Sequence, residues 1–549
     1  MILGDASSLY GGGSIGGVIN IRSDIVDSNI GESFSLRSGT HSSEANYSRV
    51  YKEGSNCYSF GISSLYDKGY QPNAYFRRNA ANFYYNKVLN YKLSMDFQLY
   101  SYISSLGVPG DNNSDFYPAE EKNDTETYLI SPGIQIELNE NLKYKSVLNY
   151  TYNDLIASNT PSIIVTVDNL DYSYLEETSS IDNYLIFSNP LSSVKSILGF
   201  SYEDKKYELD PIGSNSGRTT IRHGYKTKSV YGKSTMNINE NTVLTLSGRC
   251  SRFSKFFESK ESGSIDISRS LNDRNNSKIF LSSSYGFTPL DAIDMIYLSS
   301  VEDTEFHHEI IRSNVIGFKT YNKSNKSELG FSVFSNKIYD IADFRDVYDT
   351  ITVKRDKNGI PVQELNWEGE LDYSWQWPDP TYVYSTADTK QKGFEIYYKK
   401  EFMNNLQISL GYSYLDASIT DGVIGGSGIY LYEEGFGRNN SDNVYSAKKG
   451  DQVIRRPMHK INLSLLYPIN SQFDLGLNAM GAFDREDIKN YTLQPIEDIC
   501  NLRIYGNYYL SDSGKIFFTV KNVLNDEYDW TPGYPVQPRS LDIGARFNF

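Results

Sequence analysis

Between Ser540 and Phe549 the side chains alternate without a break. Leu541, Ile543, Ala545, Phe547 and Phe549 fall on one face, and Ser540, Asp542, Gly544, Arg546 and Asn548 on the other. Successive side chains of a β-strand point to opposite sides, so this segment has one apolar face and one wet face. A strand of about 9–11 residues is also what crosses a bilayer at a tilt. The pattern recurs upstream. Leu406, Ile408, Leu410, Tyr412 and Tyr414 alternate with Gln407, Ser409, Gly411 and Ser413, and Phe473, Leu475, Leu477 and Ala479 with Asp474, Gly476 and Asn478. Ile461, Leu463, Leu465 and Tyr467 repeat it with one polar slot lost, and Ile516, Phe518 and Val520 repeat it again. The second face carries Gln, Asn, Ser, Asp, Lys and Gly, as a hydrated or plugged lumen requires.

What the chain lacks narrows the choice further. No run of about 18 apolar residues exists, which excludes a helical membrane protein. A soluble reading of 549 residues would require several separate cores. The negative mean hydropathy is compatible with a barrel, because only alternate residues of each strand need to face lipid. The 46 Tyr suit such a wall twice, in interfacial girdles and, through the hydroxyl, on a polar inner surface. A net charge of -15 argues against nucleic acid, which would need clustered Lys and Arg to neutralise phosphates.

The connections alternate between tight and long. Tight turns are expected at Lys52–Ser55, Asn139–Asn141, Asn189–Leu191, Asn239–Asn241, Asn322–Asn325, Met403–Asn405, Pro468–Asn470 and Ser511–Gly514. Long polar stretches lie at 104–124, 205–226, 254–274, 340–385 and 417–453. Outer-membrane barrels show this asymmetry, with short periplasmic turns and long outer loops. The expectation is an all-β fold: one large antiparallel transmembrane barrel of about 22 strands over residues 31–549, closed so that no strand edge meets lipid.

Cys57, Cys250 and Cys500 are far apart and form no metal or disulfide pattern; Cys500, in register with Leu502 and Ile504, reads as a small apolar wall residue. His307 and His308 read as an exposed loop pair rather than a metal site. No G-x-S-x-G context or other catalytic constellation appears, so an enzyme is not expected. The first thirty residues differ from the rest. Gly11, Gly13, Gly16 and Gly17 belong to a glycine cluster that runs into a short apolar strand. A GxGxxG fragment lies within it, but no strand precedes it and no helix follows, so the glycines read as structural.

At these residues the sequence resembles a known family. The segment Asp5–Ile21, with Tyr10-Gly11-Gly12-Gly13-Ser14-Ile15-Gly16-Gly17-Val18-Ile19-Asn20-Ile21 at its heart, is similar to the last segment of the plug domain in TonB-dependent outer-membrane receptors. At the far end, Val520-Lys521-Asn522-Val523-Leu524-Asn525-Asp526-Glu527-Tyr528, then Gly533-Tyr534-Pro535, Arg539 and the terminal Phe549, resemble the family's closing strands. Lys392-Gly393-Phe394-Glu395 and Arg455-Arg456-Pro457-Met458-His459 resemble entries into late strands. The two terminal segments look closest to vitamin B12 (cobalamin) transporters and related siderophore receptors. One departure is that Pro538 directly precedes Arg539, without the family's intervening Gly.

The resemblance implies residues 1–30 as the C-terminal remnant of a plug domain and residues 31–549 as the receptor barrel. It further implies a monomer in the outer-membrane lipid and a bulky, scarce ligand. A TonB complex would power uptake by the full-length protein. Cobalamin is the expected ligand, with a ferric siderophore as the alternative and a passive pore as a further one if no plug is present. No export signal and no TonB-binding box open the sequence, so both are expected upstream of Met1. No cofactor is required. Calcium is a candidate ion, since Asp111, Asp115 and Asp124 belong to a loop rich in carboxylates and amides, and similar cobalamin transporters order loops with calcium. The aromatic residues Trp367, Tyr373, Trp375, Trp377, Tyr382 and Tyr384 form the candidate ligand-binding set, because flat amphipathic side chains in a long outer loop suit a bulky planar ligand. Arg455 and Arg456 are expected as a solvated pair at a strand entry.

Overall fold

The computed structural model describes residues 2–3, 17–18, 31–109, 121–160, 170–189, 193–212, 220–254, 258–271, 276–289, 308–347, 352–355, 360–365, 371–376, 381–424, 447–489 and 492–549. Among these, 22 antiparallel strands close into one barrel. The first, Gly31–Gly39, pairs with the last, Ser540–Asn548, from Ser33↔Asn548 to Gly39↔Asp542. Backbone bonds Glu32 N to Phe549 O, 3.0 Å, and Thr40 N to Leu541 O, 2.8 Å, extend the seam at both ends. Every strand edge that faces lipid is therefore satisfied by a neighbour, the condition for spanning a membrane with strands.

The face assignments follow the alternation. Leu541 and Ile543 are exposed on the outside, whereas Ser540 and Asp542 are buried on the inside. Leu148, Leu198, Val230, Ile265, Leu281 and Ile316 continue the exposed apolar belt around the wall. Cys500 pairs opposite Gly481 on the same outward face as Leu502 and Ile504, and all three cysteines are free thiols.

The inner face is tied together by short polar side chains. Ser229 and Ser251 hydroxyls lie 2.9 Å apart, and Ser247 and Ser264 2.7 Å apart. Several inward glycines are roofed by an aromatic ring from the adjacent strand. A Cβ on Gly199 would lie 2.3 Å from Tyr231 Cζ, and one on Gly330 would lie 2.1 Å from Tyr397 Cε1. These rings fill the space that the missing side chain leaves, which pins strand register.

The expected turns are present where the structure describes them. Gly54, with φ 58°, and Asn405, with φ 60°, sit in the left-handed conformation that such turns demand. The long polar stretches are a different matter. The strands Val194–Ile212 and Ile221–Asn239 consume most of 205–226, and Ser327–Val347 and Thr381–Glu401 run well into 340–385. The stretch 254–274 contains a whole barrel strand, Lys260–Ser270. These strands are 11 to 21 residues long, against the roughly 10 needed to cross lipid. Above the membrane both faces of the wall are wet, so the apolar alternation that marks a strand disappears although the ladder continues.

Candidate ligand-binding face

The wall is tall on one side and low at the seam, where both strands have 9 residues. On the tall side, the inward face near the outer end holds an aromatic stack drawn from separate strands. Tyr174 stacks on Tyr207 at 6.4 Å between centroids, Tyr207 meets Tyr225 at 6.4 Å, and Tyr225 meets Phe253 at 5.9 Å. Phe253 then packs against His308 at 5.0 Å, and His308 against Phe287 at 5.2 Å. Tyr207 is directly opposite His223, and Tyr225 opposite Lys205, so antiparallel register alone brings Tyr207 and Tyr225 side by side. The exposed-loop reading fails for His308, which is 1% exposed among these rings and has Nε2 3.2 Å from the Glu258 carbonyl oxygen. His307 lies outside the described residues.

Charge is interleaved with the rings. Lys205 Nζ stands 3.6 Å from Glu203, and both point inward on the strand that carries Tyr207. Deeper in the barrel, Tyr231 Oη donates to Asp182 at 2.6 Å, while the Arg249 guanidinium lies 5.2 Å over the Tyr231 ring and donates to Ser201 at 2.8 Å. A surface that alternates flat aromatic faces with fixed charges and hydroxyls can hold a large ligand that is partly apolar and partly polar.

Around the seam the outer loops are knitted into a collar. Arg485 is 4% exposed and donates to the carbonyls of Glu497 at 2.8 Å, Asp529 at 3.2 Å and Trp530. Burial works against its charge and the neighbouring Asp487 carboxylate supports it. Asp487, with no exposed surface, takes an ion pair from Arg455 Nε at 3.0 Å. Arg455 and Arg456 are both exposed, as a solvated pair would be, but Arg455 is also anchored to a buried carboxylate, and the Arg456 carbonyl accepts from Gln452 at 2.7 Å. Tyr70 Oη donates to the Pro535 carbonyl at 2.8 Å, and Asn73 Nδ2 to Val108 O at 3.0 Å and Glu121 O at 2.7 Å.

The residues expected from the sequence are distributed as follows. Tyr382 and Tyr384 belong to the extended strand Thr381–Glu401, opposite Asp346 and Phe344. Tyr373 and Trp375 lie in two short hairpin ladders beyond the wall, opposite Gln363 and Val353. Trp367 and Trp377 lie outside the described residues, as do Asp111, Asp115, Gly11, Gly13 and Gly16. Gly17 pairs with Leu3 in the small sheet of Ile2–Leu3 and Gly17–Val18. Asp124 is on the outward face opposite Ile156, with its carboxylate 2.5 Å from Lys122 Nζ. Among the described residues no group of three or more His, Cys, Asp and Glu side chains is placed to hold a metal ion. The aromatic stack itself was not anticipated. Its members are scattered from Tyr174 to His308, and only strand register aligns them.

The model of the family described as TonB dependent receptor-like, beta-barrel, matches residues 59–549. The chain belongs to this family. Its place is therefore the outer membrane, and the family and the similar structures are receptors and transporters. No curated protein matches the sequence of this receptor. Its fold is similar to that of the siderophore receptor PiuA from Acinetobacter baumannii, with TM-score 0.72, 15% identity, and coverage of 100% of this chain and 85% of that one. It is also similar to the ferripyoverdine receptor of the Pseudomonas aeruginosa outer membrane, with TM-score 0.72, 14% identity, and coverage of 100% and 75%. The copper transporter OprC matches with TM-score 0.74, 10% identity, and coverage of 100% and 85%.

Proposed function

We propose that this receptor captures a bulky metal chelate at the outer mouth of its barrel for TonB-energised uptake, with a ferric siderophore as the ligand. The observation that carries the reading is the inward aromatic stack Tyr174–Tyr207–Tyr225–Phe253, interleaved with the Lys205–Glu203 pair. Siderophore receptors among the structures of similar fold support iron over other cargo. Cobalamin is the second reading, favoured by the resemblance of the two terminal segments. Residues 1–30 are proposed as the end of a plug and a TonB complex as the energy partner, with the receptor acting as a monomer and performing no covalent chemistry. Calcium at Asp111, Asp115 and Asp124 would require the ion to displace Lys122 from Asp124.

Equilibrium binding to the folded, detergent-solubilised receptor tests this, using ferric catecholate, ferric hydroxamate and cyanocobalamin in parallel. Tight binding of a ferric chelate, weakened about tenfold or more by Tyr207→Ala with Tyr225→Ala, is the expected result, since each aromatic contact is worth about 1 kcal/mol. Binding of cobalamin alone would overturn the iron assignment. A large steady conductance in planar bilayers with no chelate binding would replace both readings by a passive pore.

A further inference from the structure

Above the apolar belt, several outward cations are matched by carboxylates: Lys226 by Asp204 at 3.6 Å, Arg222 by Glu208 at 2.7 Å and Lys122 by Asp124 at 2.5 Å. One stretch of the outer wall is built differently. Arg312, Lys337 and Lys390 are directly opposite one another on three adjacent strands, and Lys392 lies two residues along from Lys390. With strands about 4.8 Å apart and about 3.3 Å per residue, the four backbone positions fit within roughly 12 Å of each other. Among the described residues none of the four is ion-paired; the charges that act on Lys390 are Lys392, Lys337 and Asp416, a carboxylate directly opposite Lys392 on the next strand. Like charges directly opposite across a ladder destabilise it, and Asp416 faces only Lys392, so four cations against one carboxylate leave a positive patch suited to an anion from outside the protein.

The rows of the wall show where that anion would be. Arg312–Lys337–Lys390–Ser418 is the top row, and Asn314–Ser335–Lys392–Asp416 the next. Beneath them come Ile316–Val333–Phe394 and then Phe318–Phe331–Ile396, of which Ile316, Val333, Phe331 and Ile396 are exposed. Arg312 and Lys337 are ten residues from the turn-side ends of their strands at Asn322 and Ser327. At about 3.3 Å per residue and a tilt of about 40°, that is a height of roughly 25 Å, the outer edge of the hydrocarbon layer. Arg312 is steadied there by the Tyr285 and Tyr339 rings, 5.8 and 5.6 Å from its guanidinium carbon.

We propose that Arg312, Lys337, Lys390 and Lys392 bind the phosphate groups of an anionic lipid of the outer leaflet, whose acyl chains lie on the apolar rows beneath. Arginine supplies a planar fork for two phosphate oxygens, and the lysines supply mobile point charges that adapt to a second phosphate. The lipid would relieve the repulsion between the cations and fix the orientation of this side of the barrel.

Native mass spectrometry of the folded full chain in zwitterionic detergent tests the proposal, with a diphosphorylated lipid A, phosphatidylcholine and inorganic phosphate as probes. Lipid A is expected to be retained and phosphatidylcholine lost. Lys337→Gln with Lys390→Gln and Lys392→Gln should weaken retention about a hundredfold, at about fivefold per charge near a membrane surface. The control set Lys226→Gln, Arg222→Gln and Lys122→Gln should leave it unchanged. Gel mobility without heating reports folding; should the triple variant fail that check, Lys390→Gln alone is expected to give the fivefold loss. Equal retention by the wild type and the folded variant would overturn the proposal. So would displacement of lipid A by inorganic phosphate at the same concentration, which would mark a free-anion site.

Discussion

The barrel seam offers a test of how a single buried carboxylate holds the wall closed. Asp542, on the last strand, is buried between Lys521 Nζ at 2.9 Å and Arg37 Nη1 at 3.6 Å, and Arg37 also reaches Glu44 at 2.9 Å. It thus links three strands, the first, the last and the one before the last. At an effective dielectric of about 20, two cations at these separations attract it by roughly 4–6 kcal/mol each before desolvation. Desolvation removes several kcal/mol of that, and the partly exposed cations lose more to water. Asp542→Asn keeps the shape and leaves Lys521 without its close partner, so a net loss of about 2 kcal/mol of unfolding free energy is expected. Urea titration in detergent micelles, followed by tryptophan fluorescence and by gel mobility, measures it. A double-mutant cycle with Lys521→Gln should return a coupling of about 1–2 kcal/mol. An unchanged midpoint for Asp542→Asn, or strict additivity in the cycle, would refute the view that this carboxylate fastens the seam.

Two further outcomes follow from the packing. Gly199→Ala places a Cβ 2.3 Å from Tyr231 Cζ, so the ring must leave Asp182, with a cost of about 1–3 kcal/mol read in the same urea titration; a wild-type midpoint would show that the ring is not held there. Arg485→Met removes the donor shared by the carbonyls of Glu497, Asp529 and Trp530. Limited proteolysis should then cut the outer hairpins of residues 485–496 and 529–535 faster, while the barrel midpoint moves little, because the lost bonds lie outside the membrane wall.

The relation between sequence and structure is clearest where lipid is present. Leu541, Ile543 and Phe547 had to face hydrocarbon and Asp542 could not, so the face of every residue in the closing strand is readable from its neighbours. The tight turns were readable for a similarly local reason, since Asn and Gly accept the left-handed backbone that Gly54 and Asn405 adopt. Where the wall rises into water this constraint lapses. Residues 205–226 read as a loop, yet Tyr207 and Tyr225 are strand residues, paired and inward-facing. His308 read as an exposed loop residue and is buried, because its surroundings are rings from strands more than twenty residues away.

The closing strand by itself therefore determined that the chain makes a barrel in a membrane, because alternation is a local consequence of two solvents on two faces. Which side chains meet across the lumen, and which cations stand together on the outside, depended on the register of each strand with the next. Tyr207 beside Tyr225, and Lys337 opposite Lys390, are products of that register. Register is fixed by turn lengths, by rings seated on glycines and by the closure of Gly31–Gly39 on Ser540–Asn548. Those contacts join residues hundreds of positions apart, so only the tertiary structure could decide them.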